Sequence, residues 1–191
     1  MHKNKLDKYY FISEYDTNLI NNQNKKVNII YRNYDEKINI KKILLLKNFC
    51  KKKGNKLFLS NNIKKALELE LDGAYFPSFN KSYQHLSFNF KKNFTLLGSA
   101  HSLKEIRIKE KQGISIIFIS SIFKKNSNYL GLNRFKNLQK YTKSKVVALG
   151  GINSKNLRLL KLTKISGFSG ISFFKKKGPL KKGPSNILDS K

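Results

Sequence analysis

Cysteine occurs once in this 191-residue chain, at Cys50, which excludes an internal disulfide and a thiolate metal cluster and leaves that thiol as a small packing residue. Carboxylates are scarce as well: 11 Asp and Glu stand against 40 Lys and Arg, and they form no obvious cluster of hard oxygen ligands. No apolar run approaches the roughly 18 residues that a membrane-spanning helix needs. The start, Met1-His2-Lys3-Asn4-Lys5, leads into a strand-like segment without the apolar region of a secretory signal. A cytoplasmic protein without membrane association is therefore expected. Arginine is rare too, being confined to Arg32, Arg107, Arg134 and Arg158. A net charge of +29 carried by lysine differs from the arginine-rich surfaces that read phosphate forks and base edges. The excess is spread along the chain with abundant Asn and Ile, as a drift toward A/T-rich codons would leave it. Together with the lack of a nucleic-acid motif, this disfavours a dedicated nucleic-acid role.

What is present is one core's worth of apolar residues, 39% of the chain, cut into short runs. Eight runs read as strands: Tyr9 to Ser13, Val27 to Arg32, Lys56 to Ser60, Gly73 to Phe76, Phe94 to Gly98, Ile114 to Phe123, Lys145 to Leu149 and Gly167 to Phe174. Helical spacing falls between them, over Ile38 to Lys53 with Gly54 as its stop, Asn62 to Leu71, Ser102 to Lys111, Gly131 to Tyr141 and Ser154 to Lys161. Ser102 and Glu105 have the spacing of a capping box.

Strands alternating with helix-length connections predict parallel βα units, and eight of them predict a closed (β/α)8 TIM barrel, an α/β fold. Such barrels typically need about 250 residues, so this one is expected to be compact, with its first and last helices shortened or missing. One domain over residues 1–175 is expected, followed by a basic, disordered tail over residues 176–191.

The most informative stretch is Val146-Val147-Ala148-Leu149-Gly150-Gly151-Ile152-Asn153. It reads as a buried strand ending in a glycine turn, where a phosphate can approach main-chain N–H groups at the next helix's start. A second strand ends at Gly170-Ile171-Ser172, so adjacent loops are expected to share one phosphate, as the last two strands of such barrels commonly do.

From Tyr9 to Phe174 the residues resemble the thiamine phosphate synthase and TenI group of (β/α)8 barrels. The resemblance rests on Asp72-Gly73, Gly98-Ser99-Ala100-His101 with Glu105, Ser120 to Phe123, Val146 to Ile152, and Gly170-Ile171-Ser172. It implies a transferase that joins hydroxymethylpyrimidine diphosphate to hydroxyethylthiazole phosphate with Mg²⁺ and releases pyrophosphate. By the same resemblance, Arg32 orients the pyrimidine, Ser99 and Lys124 or Lys125 hold diphosphate beside Ser127, and His101 faces the ligand. Gly150 and Gly151 with Gly170, Ile171 and Ser172 hold the thiazole phosphate.

The chain departs from the family's pattern at defined places. Tyr34 stands where a lysine is expected, and Asn61 and Asn80 stand where two metal-binding aspartates are expected. After the sixth strand, Ser120 to Asn128 replaces a Gly-Pro, a threonine pair and a lysine. Asparagine offers Mg²⁺ a carbonyl oxygen but no charge with which to displace its waters. Three functions stay open: a divergent synthase, a TenI-like binder or isomerase using His101 as acid or base, and a basic nucleic-acid-associated protein. All but the last take small phosphorylated ligands.

Overall fold

The computed structural model describes residues 6–15, 26–32, 34, 39–170 and 173. Eight parallel strands close into a barrel in chain order. They are β1 (Asp7–Ile12), β2 (Asn28–Tyr31), β3 (Leu57–Ser60), β4 (Gly73–Phe76), β5 (Thr95–Ala100), β6 (Ile116–Ile119), β7 (Lys145–Leu149) and β8 (Gly167–Ser169). The ring shuts where β1 meets β8, in the register Asp7 with Gly167 and Tyr9 with Ser169. The expected TIM barrel is thus the fold of the described residues. Among them, no helix is long and apolar enough to cross a membrane.

Four α-helices lie between strands among the described residues: α1 (Ile40–Lys53), α2 (Ile63–Glu68), α3 (Leu103–Lys111) and α4 (Gly131–Lys140). Helix α1 starts where the Asn39 side chain accepts the Lys42 N–H at 3.0 Å, buries Ile43, Leu46 and Cys50, and stops at Gly54 with φ 64°. Burial of Cys50 agrees with its expected packing role and raises its pKa to about 12. Half of the expected capping box forms at α3: the Ser102 hydroxyl accepts the Glu105 N–H at 3.3 Å, while the Glu105 carboxylate takes the N–H of His101, not that of Ser102.

The segment after β7 differs from expectation. Ser154 to Lys161 is not an α-helix; a 3₁₀ helix, Leu157–Leu162, occupies that stretch. The Asn153 side chain explains the change, because its oxygen takes the N–H groups of Lys155 at 2.9 Å and Asn156 at 3.2 Å in a local turn. The connection from β4 to β5 likewise holds only a 3₁₀ turn, Gln84–Ser87. Short helices of this kind are how a chain of 191 residues accommodates eight strands. Most of the polar segment from Asp16 to Lys26, and the whole basic tail, lie outside the described residues.

Strand alternation divides the core into two layers. Tyr9, Phe11, Ile30, Phe58, Tyr75, Leu97, Phe118 and Val147 fill the barrel, while the larger cluster sits between strands and helices. Aromatic rings dominate the interior, and the Phe118 ring meets those of Tyr9, Tyr75 and Phe11 edge-on at 4.9, 5.5 and 5.9 Å. Outside the barrel, Asp72 accepts the Leu57 N–H at 2.8 Å and ties the entry of β4 to that of β3. We expect Phe118→Ala to cost roughly 3–5 kcal/mol in urea unfolding with an unchanged m-value. A loss below 1 kcal/mol would contradict this account of the interior.

Candidate functional site

The carboxyl ends of the strands carry a set of buried serines. Continuing the inward alternation upward brings Ser60, Ser99, Ser120 and Ser169 to the barrel's upper rim, all buried. Tyr75, one layer below, hydrogen-bonds the Ser99 side chain, and burial pushes its pKa up so that the phenol stays a protonated donor at neutral pH. The Ser169 hydroxyl is fully buried and has no hydrogen-bond partner among the described residues. None of Ser60, Tyr75 or Ser169 was singled out by sequence, since each falls inside a strand and matches no motif.

Arg32 leaves the end of β2 with its guanidinium carbon 5.5 Å from the Phe11 ring centroid and 6.0 Å from that of Tyr34. Two aromatic faces thereby hold the cation over the barrel mouth. Tyr34 is committed elsewhere at its tip, where its hydroxyl lies 2.7 Å from Ser60 Oγ. Its ring meets that of exposed Phe79 edge-on at 5.6 Å. Where the family pattern expects a lysine ammonium, this chain has an aromatic wall.

The two predicted metal positions do come together, but on each other. Asn61 sits in the left-handed region at φ 59°, and its Oδ1 accepts the Asn80 Nδ2–H at 2.7 Å. Asn80 Oδ1 accepts the Ser82 N–H at 2.9 Å. Both carbonyl oxygens are therefore occupied by N–H donors. Among the described residues, no group of three or more His, Cys, Asp and Glu is placed to hold an ion. Mg²⁺ demands near-octahedral oxygen ligands with charge enough to replace tightly held water. This amide pair does not fit it.

Behind Asn80 lies a cluster the sequence did not reveal. Lys109, fully buried on α3, donates to the Pro77 carbonyl at 2.8 Å, the Asn80 carbonyl at 2.7 Å and Gln112 Oε1 at 3.0 Å. Burial lowers its pKa to about 8, opposed by the Glu105 carboxylate, and the ammonium stays charged at neutral pH. Gln112 donates to the Asn80 carbonyl at 3.2 Å and the Ser82 carbonyl at 2.8 Å, and its own carbonyl lies 2.7 Å from His85 Nε2. His85 is buried against the Phe76 ring, with ring centroids 4.6 Å apart.

His101 is oriented by the helix it precedes. Glu105 Oε2 accepts the His101 main-chain N–H at 2.7 Å and lies 3.0 Å from the ring Nδ1. The contact orients the ring with Nδ1 toward Glu105 and leaves Nε2 as the nitrogen turned away from that carboxylate.

On the far side of the mouth, Gly150 and Gly151 adopt φ of 101° and 74°. A side chain at Gly150 would collide with the Ser121 hydroxyl, and one at Gly151 with the Lys124 main-chain nitrogen. The glycines thus let the β7 turn close against the loop after β6, where Ile122 N–H donates to Leu149 at 3.0 Å and Phe123 N–H to Gly150 at 2.9 Å. Lys124 is brought to the turn through its backbone, while Lys125 and Ser127 lie on the exposed run beyond it. Gly170 packs on Ile152, so the ends of β7 and β8 are neighbours as expected. Ile171 and Ser172 lie outside the described residues. The expected helix start behind the glycine turn is corrected by the Asn153 turn and the 3₁₀ helix, which supply no α-helical N-terminus there. A phosphate at this turn would rely on loop amides.

A (β/α)8 barrel whose polar groups gather at the carboxyl ends of its strands defines an enzyme-like scaffold with its site at that face. The chain belongs to the thiamine monophosphate synthase family, whose model matches residues 18–174. A thiamine-phosphate synthase of Fusobacterium nucleatum is 25% identical over 168 residues, 86% of this chain and 82% of the relative. A relative from Aquifex aeolicus is 32% identical over 124 residues, 62% of this chain and 65% of its own length. The match to the thiamine-phosphate synthase of Methanococcus vannielii, 33% identical over 78 residues, spans 39% of this chain and 38% of the relative. These last two matches thus span less than two thirds of either relative. Among solved structures, thiamine phosphate pyrophosphorylase from Pyrococcus furiosus shares the fold with a TM-score of 0.68 and 18% identity, over 91% of this chain and 96% of that one.

The amide pair generates a direct expectation. Mn²⁺, added as a paramagnetic stand-in for Mg²⁺, will leave the Asn61 and Asn80 side-chain amide NMR signals sharp. Asn61→Asp with Asn80→Asp will gain saturable broadening of the neighbouring backbone signals. Saturable broadening at Asn61 and Asn80 in the unaltered protein would refute the misfit.

Proposed function

We propose that the barrel mouth binds the phosphorylated precursors of thiamine, and that the chain is a synthase whose coupling of them is slow. The observation that supports this reading is the gathering of Arg32, Ser99 and the Gly150-Gly151 turn at one rim, in a chain of this family. The Gly150-Gly151 turn, with Gly170, Ile171 and Ser172, holds the thiazole phosphate. Arg32, steadied by Phe11 and Tyr34, orients the pyrimidine diphosphate, and Ser99 lies below it beside Tyr75.

In the coupling, the bond from the pyrimidine methylene to the diphosphate oxygen breaks with its electron pair leaving on the diphosphate. The thiazole nitrogen donates its lone pair to the methylene carbon. The charge gathering on the leaving group must be met by the chain's own cations, Arg32 with Lys124, Lys125 or both, helped by Ser127. The relatives' Mg²⁺ has no step in this scheme, because Asn61 and Asn80 are bonded to one another. A cytoplasmic location belongs to the same reading.

A second reading, a TenI-like binder or isomerase, is favoured by two observations on the diphosphate side. The metal positions form an amide pair, and the residue in place of the lysine spends its hydroxyl on Ser60. In that reading His101, presenting Nε2, is the acid or base.

Purified protein supplied with both precursors and Mg²⁺ will form thiamine phosphate at a rate roughly 100-fold or more below that expected with a carboxylate-bound metal. Asn61→Asp with Asn80→Asp will raise that rate. Binding of hydroxyethylthiazole phosphate without any product, before and after the double substitution, selects the second reading. Failure to bind it at all removes both.

A further inference from the structure

We propose that Lys109 is the positioning residue of this site, its ammonium drawing the main chain of the β4 loop into the one arrangement that presents Asn80 to Asn61. The inference rests on the proposed function only in taking the barrel mouth as the ligand site. Lys109 belongs to α3, in the connection that follows the loop it grips and separated from it by β5, yet it donates to the carbonyls of both Pro77 and Asn80. Those carbonyls point at one nitrogen, and the Asn80 N–H in turn donates to Pro77 at 3.0 Å. The loop is therefore folded around the ammonium.

Three features separate this arrangement from a lysine that is merely buried. First, the three N–H bonds of the ammonium are matched by three oxygens, those of Pro77, Asn80 and Gln112. Second, the stem has a built channel: a Cβ at Gly98 on β5 would stand 3.1 Å from Lys109 Cδ, so glycine there gives the stem its course across the strand. Third, Gln112 repeats the grip one turn later on the Asn80 and Ser82 carbonyls, and its own carbonyl meets His85 from the far end of the same connection. The groups facing the ammonium are thus Pro77, Asn80 and Gln112, with Glu105 as the acidic neighbour on its own helix. Every one of these contacts bears on the segment from Pro77 to His85, which carries both Asn80 and Phe79 to the rim. Lys109 touches neither rim side chain. It acts on ligand binding through them.

Lys109→Met keeps the length of the stem and removes the donors. Amide hydrogen exchange followed by NMR reads the loop directly, through Asn80 N–H on Pro77 and Ser82 N–H on Asn80 Oδ1. In the unaltered protein both will be protected like β5, and in Lys109→Met both will exchange at least ten-fold faster while amides of β1, β2 and β7 keep their rates. The dissociation constant for hydroxymethylpyrimidine diphosphate, the ligand of the side on which Asn80 meets Asn61, will rise at least ten-fold. The proposal is overturned by unaltered loop exchange in Lys109→Met, by an equal loss of protection around the whole barrel, or by unaltered affinity beside a loosened loop. Should the variant fail to fold, the unaltered protein still decides: protection of Asn80 and Ser82 at the level of β5 supports the clamp, and exchange at an exposed-loop rate sinks it. If the unaltered protein binds no pyrimidine diphosphate, the functional reading of the diphosphate side fails while the exchange result stands on its own.

Discussion

Closure of a ring from strands of only three to six residues leaves almost no tolerance for how near neighbouring backbones approach. At Gly73 a side chain would collide with the Thr95 carbonyl oxygen, and at Gly167 a Cβ would stand 2.6 Å from the Asp7 carbonyl oxygen. These positions lie at the seams from β4 to β5 and from β8 to β1. With the backbone drawn in so closely, a small interior is filled by five aromatic rings, and every polar group above them is forced to the strand ends. The geometry of the mouth follows from that crowding. Rim residues are set by strand register, whereas the loop residues between them need anchors of their own.

The two sides of the rim meet that need differently. On the β7 side, positive-φ glycines let two loops interlock by main-chain hydrogen bonds, so the turn is held with no side chain at Gly150 or Gly151. On the β4 side the connection is long and has little regular structure, and its carbonyls would face an apolar interior unpaired at a cost of roughly 1–3 kcal/mol each. Lys109 and Gln112 satisfy them. One side of the site is held by main-chain hydrogen bonds between two loops, the other by a buried cation.

Much of the barrel was legible because its signals are local. Apolar runs such as Val146 to Leu149 alternate with helix-length gaps, and stops such as Gly54 act through their own conformation. The glycine turn, the Ser102 cap and the neighbouring ends of β7 and β8 were legible for the same reason. The turn that Asn153 makes was not, since an asparagine oxygen competes with a helix only once its backbone partners are in place. Lys109 escaped notice for a different reason: in a chain with 40 basic residues, nothing local marks the one whose stem finds a glycine-lined channel. Tyr34 could be read as a departure from the lysine pattern, but its bond to Ser60 spans 26 residues and exists only in the closed barrel. Asn61 and Asn80 could be read as the positions of the expected aspartates, but only the folded geometry shows that their amides bond to each other.

The left-handed backbone at Asn61 has a consequence for how the site can change over time. That conformation excludes most side chains, but asparagine and aspartate both tolerate it. An exchange of amide for carboxylate at this position thus asks nothing of the main chain. Two functional groups, rather than the course of a loop, separate this neutral pair of side chains from a pair of carboxylates at the same positions.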